Sequence, residues 1–232
     1  MLAARMLAAA SAVGNIDFAL DAPDLSVFAA YRGDSLIDGG GGLASAWNDR
    51  VGSFHMTAFN DPVIQAFSGF NNRLGALLDG IDQYFSVAAA SRSQPLSAFI
   101  VCEATKADAS NKRLLNGSTN GSGDEISSLW TSSELVAISA PQIVGTSGND
   151  VPLSIECYWD GTSSALRVGN VLEATGDSDS TITNGWVVGQ SGLGNNYFGG
   201  RVLELVLADG AASAADRQLW EDYNGQYYGL SF

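Results

Sequence analysis

The sequence predicts an all-β protein: an antiparallel, two-sheet sandwich with a short helix at its N-terminus and a second helix at its C-terminus. Glycine outnumbers proline 27 to 5, and Ser, Thr and Asn fill the gaps between short apolar runs, as many tight turns between short strands require. Several of those runs alternate with period two. Helical periodicity is confined to the two ends. With 232 residues, 46% of them hydrophobic, the chain can fill one large core. We expect an arm over 1–20 and one sandwich domain over 21–232.

Taken in order, Met1 to Ser11 is an Ala/Leu/Met segment with a single charge at Arg5. Its apolar stretch is too short for a signal peptide and reads as a helix stopped near Gly14. A helix without a polar face needs a partner. Leu2, Met6 and Leu7 therefore either contact sister subunits or lie on the chain's own sandwich.

Leu25 to Tyr31 reads as a buried strand and Arg32 to Gly42 as a glycine-rich loop. Leu74 to Leu78 and Tyr84 to Ala88, turned by Asp79-Gly80, read as a hairpin. Strands follow at Ser97 to Ala104, Arg113 to Leu115, Ile126 to Trp130 and Leu135 to Ser139. Ser154 to Trp159 alternates, with Ile155, Cys157 and Trp159 inward, and Gly169-Asn170 turns a two-residue hairpin between Leu166–Val168 and Val171–Glu173.

Trp186 to Gly189 and Phe198 to Leu207 complete the strands. The latter puts Val202, Glu204 and Val206 on one face and Leu203, Leu205 and Leu207 on the other, so it should be an interior strand. A closing helix starts on a Ser213/Asp216 capping box, carries Leu219, Trp220, Tyr223 and Tyr227 as its apolar stripe, and ends at Gly229.

The net charge of −14 argues against nucleic acid and anionic membranes as partners, and no run is long enough to span a bilayer as a helix. Cys102 and Cys157 each sit in an apolar run, as buried free thiols or as a disulfide pair. Neither has a second thiol or a histidine at zinc-ligand spacing.

Phe198-Gly199-Gly200-Arg201 through Asp209-Gly210, the Ser213-x-x-Asp216-Arg217 helix start and the closing Tyr227-Tyr228-Gly229 together resemble the concanavalin A-like lectin/glucanase superfamily, and within it the LamG-like domains. Trp47-Asn48-Asp49 and Leu78-Asp79-Gly80-Ile81-Asp82-Gln83-Tyr84 look like two further segments of that family. The resemblance covers roughly residues 25 to 230. It implies a jelly-roll sandwich of the kind found in phage virion and bacterial surface proteins, and it specifies fold better than function.

Glycosidases on such a scaffold would use paired carboxylates on one strand, in a Glu-x-Asp-x-x-Glu pattern that this sequence lacks. Glu204 reads as a structural carboxylate bonded to a turn, and His55, the single histidine, as a loop or strand-end residue. Asp177 and Asp179 offer hard oxygen ligands, which makes calcium the cofactor to consider, although the run lacks the glycine and terminal glutamate of an EF-hand loop and reads first as a solvated loop. A glycan site would use loop aromatics with amides: Trp130, Trp186, Asn195, Asn196 and Tyr197. The other reading of the two tryptophans is core.

The expected function is therefore a non-enzymatic virion surface protein of a phage, as a capsid decoration (cement) protein or a tail receptor-binding component. It would self-associate as a trimer or similar homo-oligomer, contact the major capsid protein or other virion proteins, and in the receptor-binding case a host surface glycan. The alternative is a carbohydrate-binding module or lectin of a bacterial surface; a glycoside hydrolase comes third.

Overall fold

The computed structural model describes residues 16–104, 111–117, 128–130, 135–138, 143–146, 151–169, 171–178, 182–190, 194 and 196–231. Leu2, Met6 and Leu7, and the helix expected around them, lie outside these. The described chain opens with a one-turn helix α1 (Phe18–Asp21), then β1 (Ser26–Arg32), β2 (Leu36–Gly40), β3 (Leu43–Trp47), β4 (Met56–Phe59), β5 (Val63–Phe67), β6 (Arg73–Asp79), β7 (Tyr84–Ser93) and β8 (Leu96–Ala104). Five short strands follow: β9 (Asn111–Lys112), β10 (Leu115–Asn116), β11 (Ser128–Trp130), β12 (Leu135–Ile138) and β13 (Ile143–Val144). The rest is β14 (Leu153–Trp159), β15 (Ser164–Val168), β16 (Val171–Gly176), β17 (Ile182–Val188), β18 (Gly199–Asp209) and helix α2 (Ala214–Tyr228).

The molecule is an all-β, antiparallel sandwich with one short N-terminal and one C-terminal helix. Strands run in the order β10-β17-β7-β4-β3-β5-β6-β18-β8-β14-β15-β16, with β2 on β3 and β1 on β18, while β13-β12-β11-β9 form a separate small sheet. The two halves of the long path meet through the single pair Leu43↔Val63. Their inner faces share one core, in which Trp47, Met56, Phe85 and Trp186 from one half pack with Leu78, Ile100, Cys157, Trp159 and Leu205 from the other.

β18 is the interior strand expected from its two apolar faces. It pairs β8 along one edge; along the other it pairs β6 from Gly199 to Val202 and β1 from Glu204 to Asp209. Its outer face is covered by the helices, in a second cluster that joins Phe18, Leu203, Val206, Trp220, Tyr223 and Tyr228. A β-bulge between Val202 and Glu204 corrects the simple alternation. Val202 belongs to the inner core with Leu205 and Leu207, and Leu203 turns outward beside Glu204, because the extra residue shifts the pleat by one.

Two further expectations are corrected. Arg32 to Gly42 is not a loop: after a 3-10 turn over Gly33–Ser35, β2 returns against β3, with Gly41 and Gly42 turning at positive φ. Leu74 to Ala88 does contain two strands, but they are not a hairpin. β6 pairs β5 and β18, whereas β7 pairs β4 and β17, so the Asp79-Gly80 turn carries the chain from one half to the other. Gly80 is at φ 75°, and a Cβ there would stand 3.1 Å from Gly199 Cα.

The expected pairing of β15 with β16 forms, with Val168 opposite Val171. Helix α2 also matches its sequence signals. Ser213 Oγ accepts from Asp216 N, Asp216 accepts from Ser213 N, and Gly229 closes the helix at φ 72°. Cys102 and Cys157 are both free and buried, and burial pushes both thiols up.

Candidate functional site

Two buried carboxylates, Glu204 and Glu156, are occupied in holding α2. Glu204, with no exposed surface, accepts from the Tyr223 hydroxyl at 2.6 Å and the Tyr228 hydroxyl at 2.7 Å, both on Oε2, while Oε1 has no partner among the described residues. Burial pushes its pKa up to about 7, against the two tyrosine bonds and Arg32, which pull it down. Its partners are thus helix tyrosines and not the expected turn. Glu156 accepts from Arg217 Nε on both oxygens, at 3.1 and 3.0 Å, and lies 3.6 Å from Arg167 Nε. His55 Nδ1 accepts the Asp49 N–H at 3.1 Å just before β4, where Asp49 also accepts from the backbone of Ala30, Val51 and Phe54.

A different environment occurs at the end of the sandwich where β4 and β6 finish and β5, β7 and β18 begin. Phe59 and Tyr84 are cross-strand partners, and their rings stack 4.4 Å apart with planes 5° from parallel. The Tyr197 ring follows at 6.3 Å from Tyr84, tilted by 44°. Its hydroxyl accepts from Gln190 Nε2 at 2.8 Å and donates to Gly194 O at 3.3 Å, which fixes the ring. Phe59 is 38% exposed, and the two tyrosines are half-buried.

The loops beneath this aromatic ledge are fastened to one another. Asn60 Nδ2 donates to Asp82 O at 2.8 Å, and Gln83 Nε2 donates to Asp61 O at 3.1 Å. Asp79 caps its own turn by accepting from the N–H groups of Ile81 and Asp82 at 2.8 and 3.2 Å. Asn60 and Asp61 both stand at φ 57° and Asn196 at φ 56°, left-handed positions that cost energy outside glycine and gather where a loop must hold a set shape. The result is a row of ring faces rimmed by amides and carboxylates on a braced support. Such a surface can cover the C–H face of a sugar ring while rim oxygens and N–H groups meet its hydroxyls.

Of the residues proposed from sequence, Tyr197 and Asn196 belong to this ledge, and Asn195 lies outside the described residues. Trp186 is 1% exposed and packs in the inner core, its ring 6.0 Å from Phe28, so for it the core reading holds. The Trp130 backbone lies on β11 in the small sheet, opposite Leu135 and Asn111. Asp177 is exposed and Asp179 lies outside the described residues, among which no group of three His, Cys, Asp or Glu side chains converges as a metal site. Phe59, Tyr84 and Gln190 went unrecognised. The available signal was an aromatic placed directly against each polar turn, before Asn60-Asp61-Pro62 and after Asp79 to Gln83.

No protein-family model matches the sequence, and no curated protein matches it. Solved structures do resemble the fold. Domain 4 of AbnA, a GH43 extracellular arabinanase from Geobacillus stearothermophilus, solved in complex with arabinotriose, is similar over 87% of this chain and 100% of its own, with a TM-score of 0.56 at 12% identity. Trypanosoma rangeli sialidase in complex with sialic acid is similar over 88% of this chain, with a TM-score of 0.63 at 12% identity. This chain spans about a third of the sialidase, 34% of its length. At such identities the likeness concerns the fold alone.

Proposed function

We propose that this chain is a non-catalytic carbohydrate-binding protein, a jelly roll of the concanavalin A-like, LamG type that holds glycan on the Phe59–Tyr84–Tyr197 ledge. The observation that carries this reading is the parallel stack of Phe59 on Tyr84, partly exposed and set on two cross-fastened loops. An aromatic pair kept at a loop end contributes little to a core and much to a ligand face. The similarity to a domain solved with arabinotriose is consistent with it.

A glycan array followed by calorimetry, with and without calcium, tests the reading. Retention of a glycan that Phe59→Ala weakens by at least about tenfold, with a melting temperature lowered by no more than about 5 °C, is the expected result. Retention of no glycan at all would overturn it. Calcium dependence would call for a separate metal test at Asp177 and Asp179, because Ser178 lies against Gln94, beyond the end of β7 opposite Tyr84.

The setting we propose is the one implied by the family resemblance, the surface of a phage virion. A glycan-holding ledge favours a tail receptor-binding component over a capsid decoration protein. Light scattering of the full chain and of a chain lacking residues 1–14 tests the homo-trimer, which should fall to a monomer on truncation. Mass spectrometry of purified particles tests the association with other virion proteins.

A further inference from the structure

Resting on the glycan-binding reading, we infer that the ledge selects uncharged glycans and rejects those that carry a carboxylate, because Asp61 and Asp82 guard it from both sides. Asp61 follows Phe59 by two residues and Asp82 precedes Tyr84 by two, and Phe59 and Tyr84 are themselves directly paired. The two hydrogen bonds that fasten the loops, Asn60 to Asp82 O and Gln83 to Asp61 O, use backbone carbonyls of these aspartates and leave the carboxylates out. Both residues are exposed, and neither carboxylate has a hydrogen bond or ion pair among the described residues.

The contrast with Asp79 in the same turn is informative. Its Oδ1 accepts from the N–H groups of Ile81, Asp82 and Gln83, so of the three aspartates in the two loops one caps the turn and two have carboxylates with no hydrogen bond among the described residues. Lys112, with Nζ directed at Gly80 O at 3.5 Å, and Arg113, whose backbone bridges Tyr197, are both largely buried. The Tyr197 hydroxyl is already engaged with Gln190 and Gly194. A sugar acid seated on Phe59 would therefore meet two uncompensated negative charges on a chain of net charge −14. A neutral hexose or pentose chain would meet ring faces and hydroxyl acceptors.

The test reads a glycan array in matched pairs that differ by one carboxylate, such as lactose with 3′-sialyllactose and methyl-esterified with free oligogalacturonate. Wild-type protein should hold the neutral member at least about fivefold more tightly at low ionic strength, and the preference should shrink as salt is added. The Asp61→Asn/Asp82→Asn double variant should lose most of the preference, read as the ratio of the two affinities, and should still fold, since Asn accepts the left-handed backbone of position 61 as readily as Asp. Equal or tighter binding of the acidic members, or a preference indifferent to salt and to the double variant, would overturn the inference and leave the glycan-binding reading standing. Absence of any bound glycan would overturn that reading, and the inference with it.

Discussion

Tyr223 on α2 and Glu204 on β18 are joined by a hydrogen bond of 2.6 Å in which neither residue has any exposed surface. The bond crosses from the helix to the interior strand, and Tyr228 repeats it one turn later at 2.7 Å on the same carboxylate oxygen. A carboxylate in this place gives the helix a polar anchor within an otherwise apolar contact, and it makes that contact sensitive to pH.

The Glu204 carboxyl is held at about 7 in the folded chain against an ordinary value near 4.5, so the folded state binds its proton more tightly than the unfolded one. Its contribution to stability is complete below about pH 4.5 and is lost as pH rises through 7. Urea unfolding at pH 5 and pH 8 should show a loss of up to about 3 kcal/mol from this group. In Glu204→Gln, which stays neutral throughout, that part of the pH dependence should vanish. Arg32 and Asp17 also act on Glu204, with opposite signs, so the wild-type curve should be compared with the variant's and not read alone.

Asp216 should matter more than its capping partner. Its carboxylate accepts from Ser213 N at 2.9 Å and, through the other oxygen, from Asp24 N at 3.1 Å, tying the start of α2 to the segment before β1. Ser213→Ala removes one bond to Asp216 N and should cost about 1 kcal/mol. Asp216→Ala strands two backbone donors and should cost about 2–3 kcal/mol, measured by denaturant unfolding.

Cys102 and Cys157 should be silent toward a disulfide reagent such as DTNB in the native protein at pH 8, because both thiols are enclosed and burial disfavours the reactive thiolate. Both should titrate once the chain is unfolded in guanidinium. Reaction of either one in the folded state would show that the inner core opens there.

Gly33 is a sharper steric test. A Cβ at this position would lie 1.7 Å from Leu74 O, so Gly33→Ala forces the 3-10 turn after β1 away from β6. We expect a loss of about 3 kcal/mol, seen as a lower urea midpoint. On either side of this bare glycine, Arg32 and Asp34 form an ion pair at 2.6 Å.

What could be read in the sequence follows from the range of the interactions involved. Helix α2 was legible from end to end because its cap, stripe and terminal glycine are local signals. β14 and β18 were legible as strands, yet the bulge at Leu203 was not, since nothing in a run of apolar residues marks where the pleat gains a residue. Leu74 to Leu78 and Tyr84 to Ala88 were legible as strands but not as strands of different halves. A turn such as Asp79-Gly80 specifies a change of direction and leaves open whether the chain returns beside itself. The ledge was half legible for the same reason: Tyr197 and Asn196 announce a loop, but Phe59 and Tyr84 become neighbours only through the pairing of β4 with β7.

β18 comes late in the sequence and stands in the middle of the sheet, with β8 on one edge and β6 and β1 sharing the other. During synthesis, therefore, those three strands must wait with open edges until β18 has left the ribosome. A polypeptide cut short before Gly199 would keep most of its apolar residues and lose the strand that closes the sheet, leaving three edges free to pair with other chains. Assembly of this sandwich is thus inherently a late event, and premature termination should yield aggregates in place of a smaller folded core.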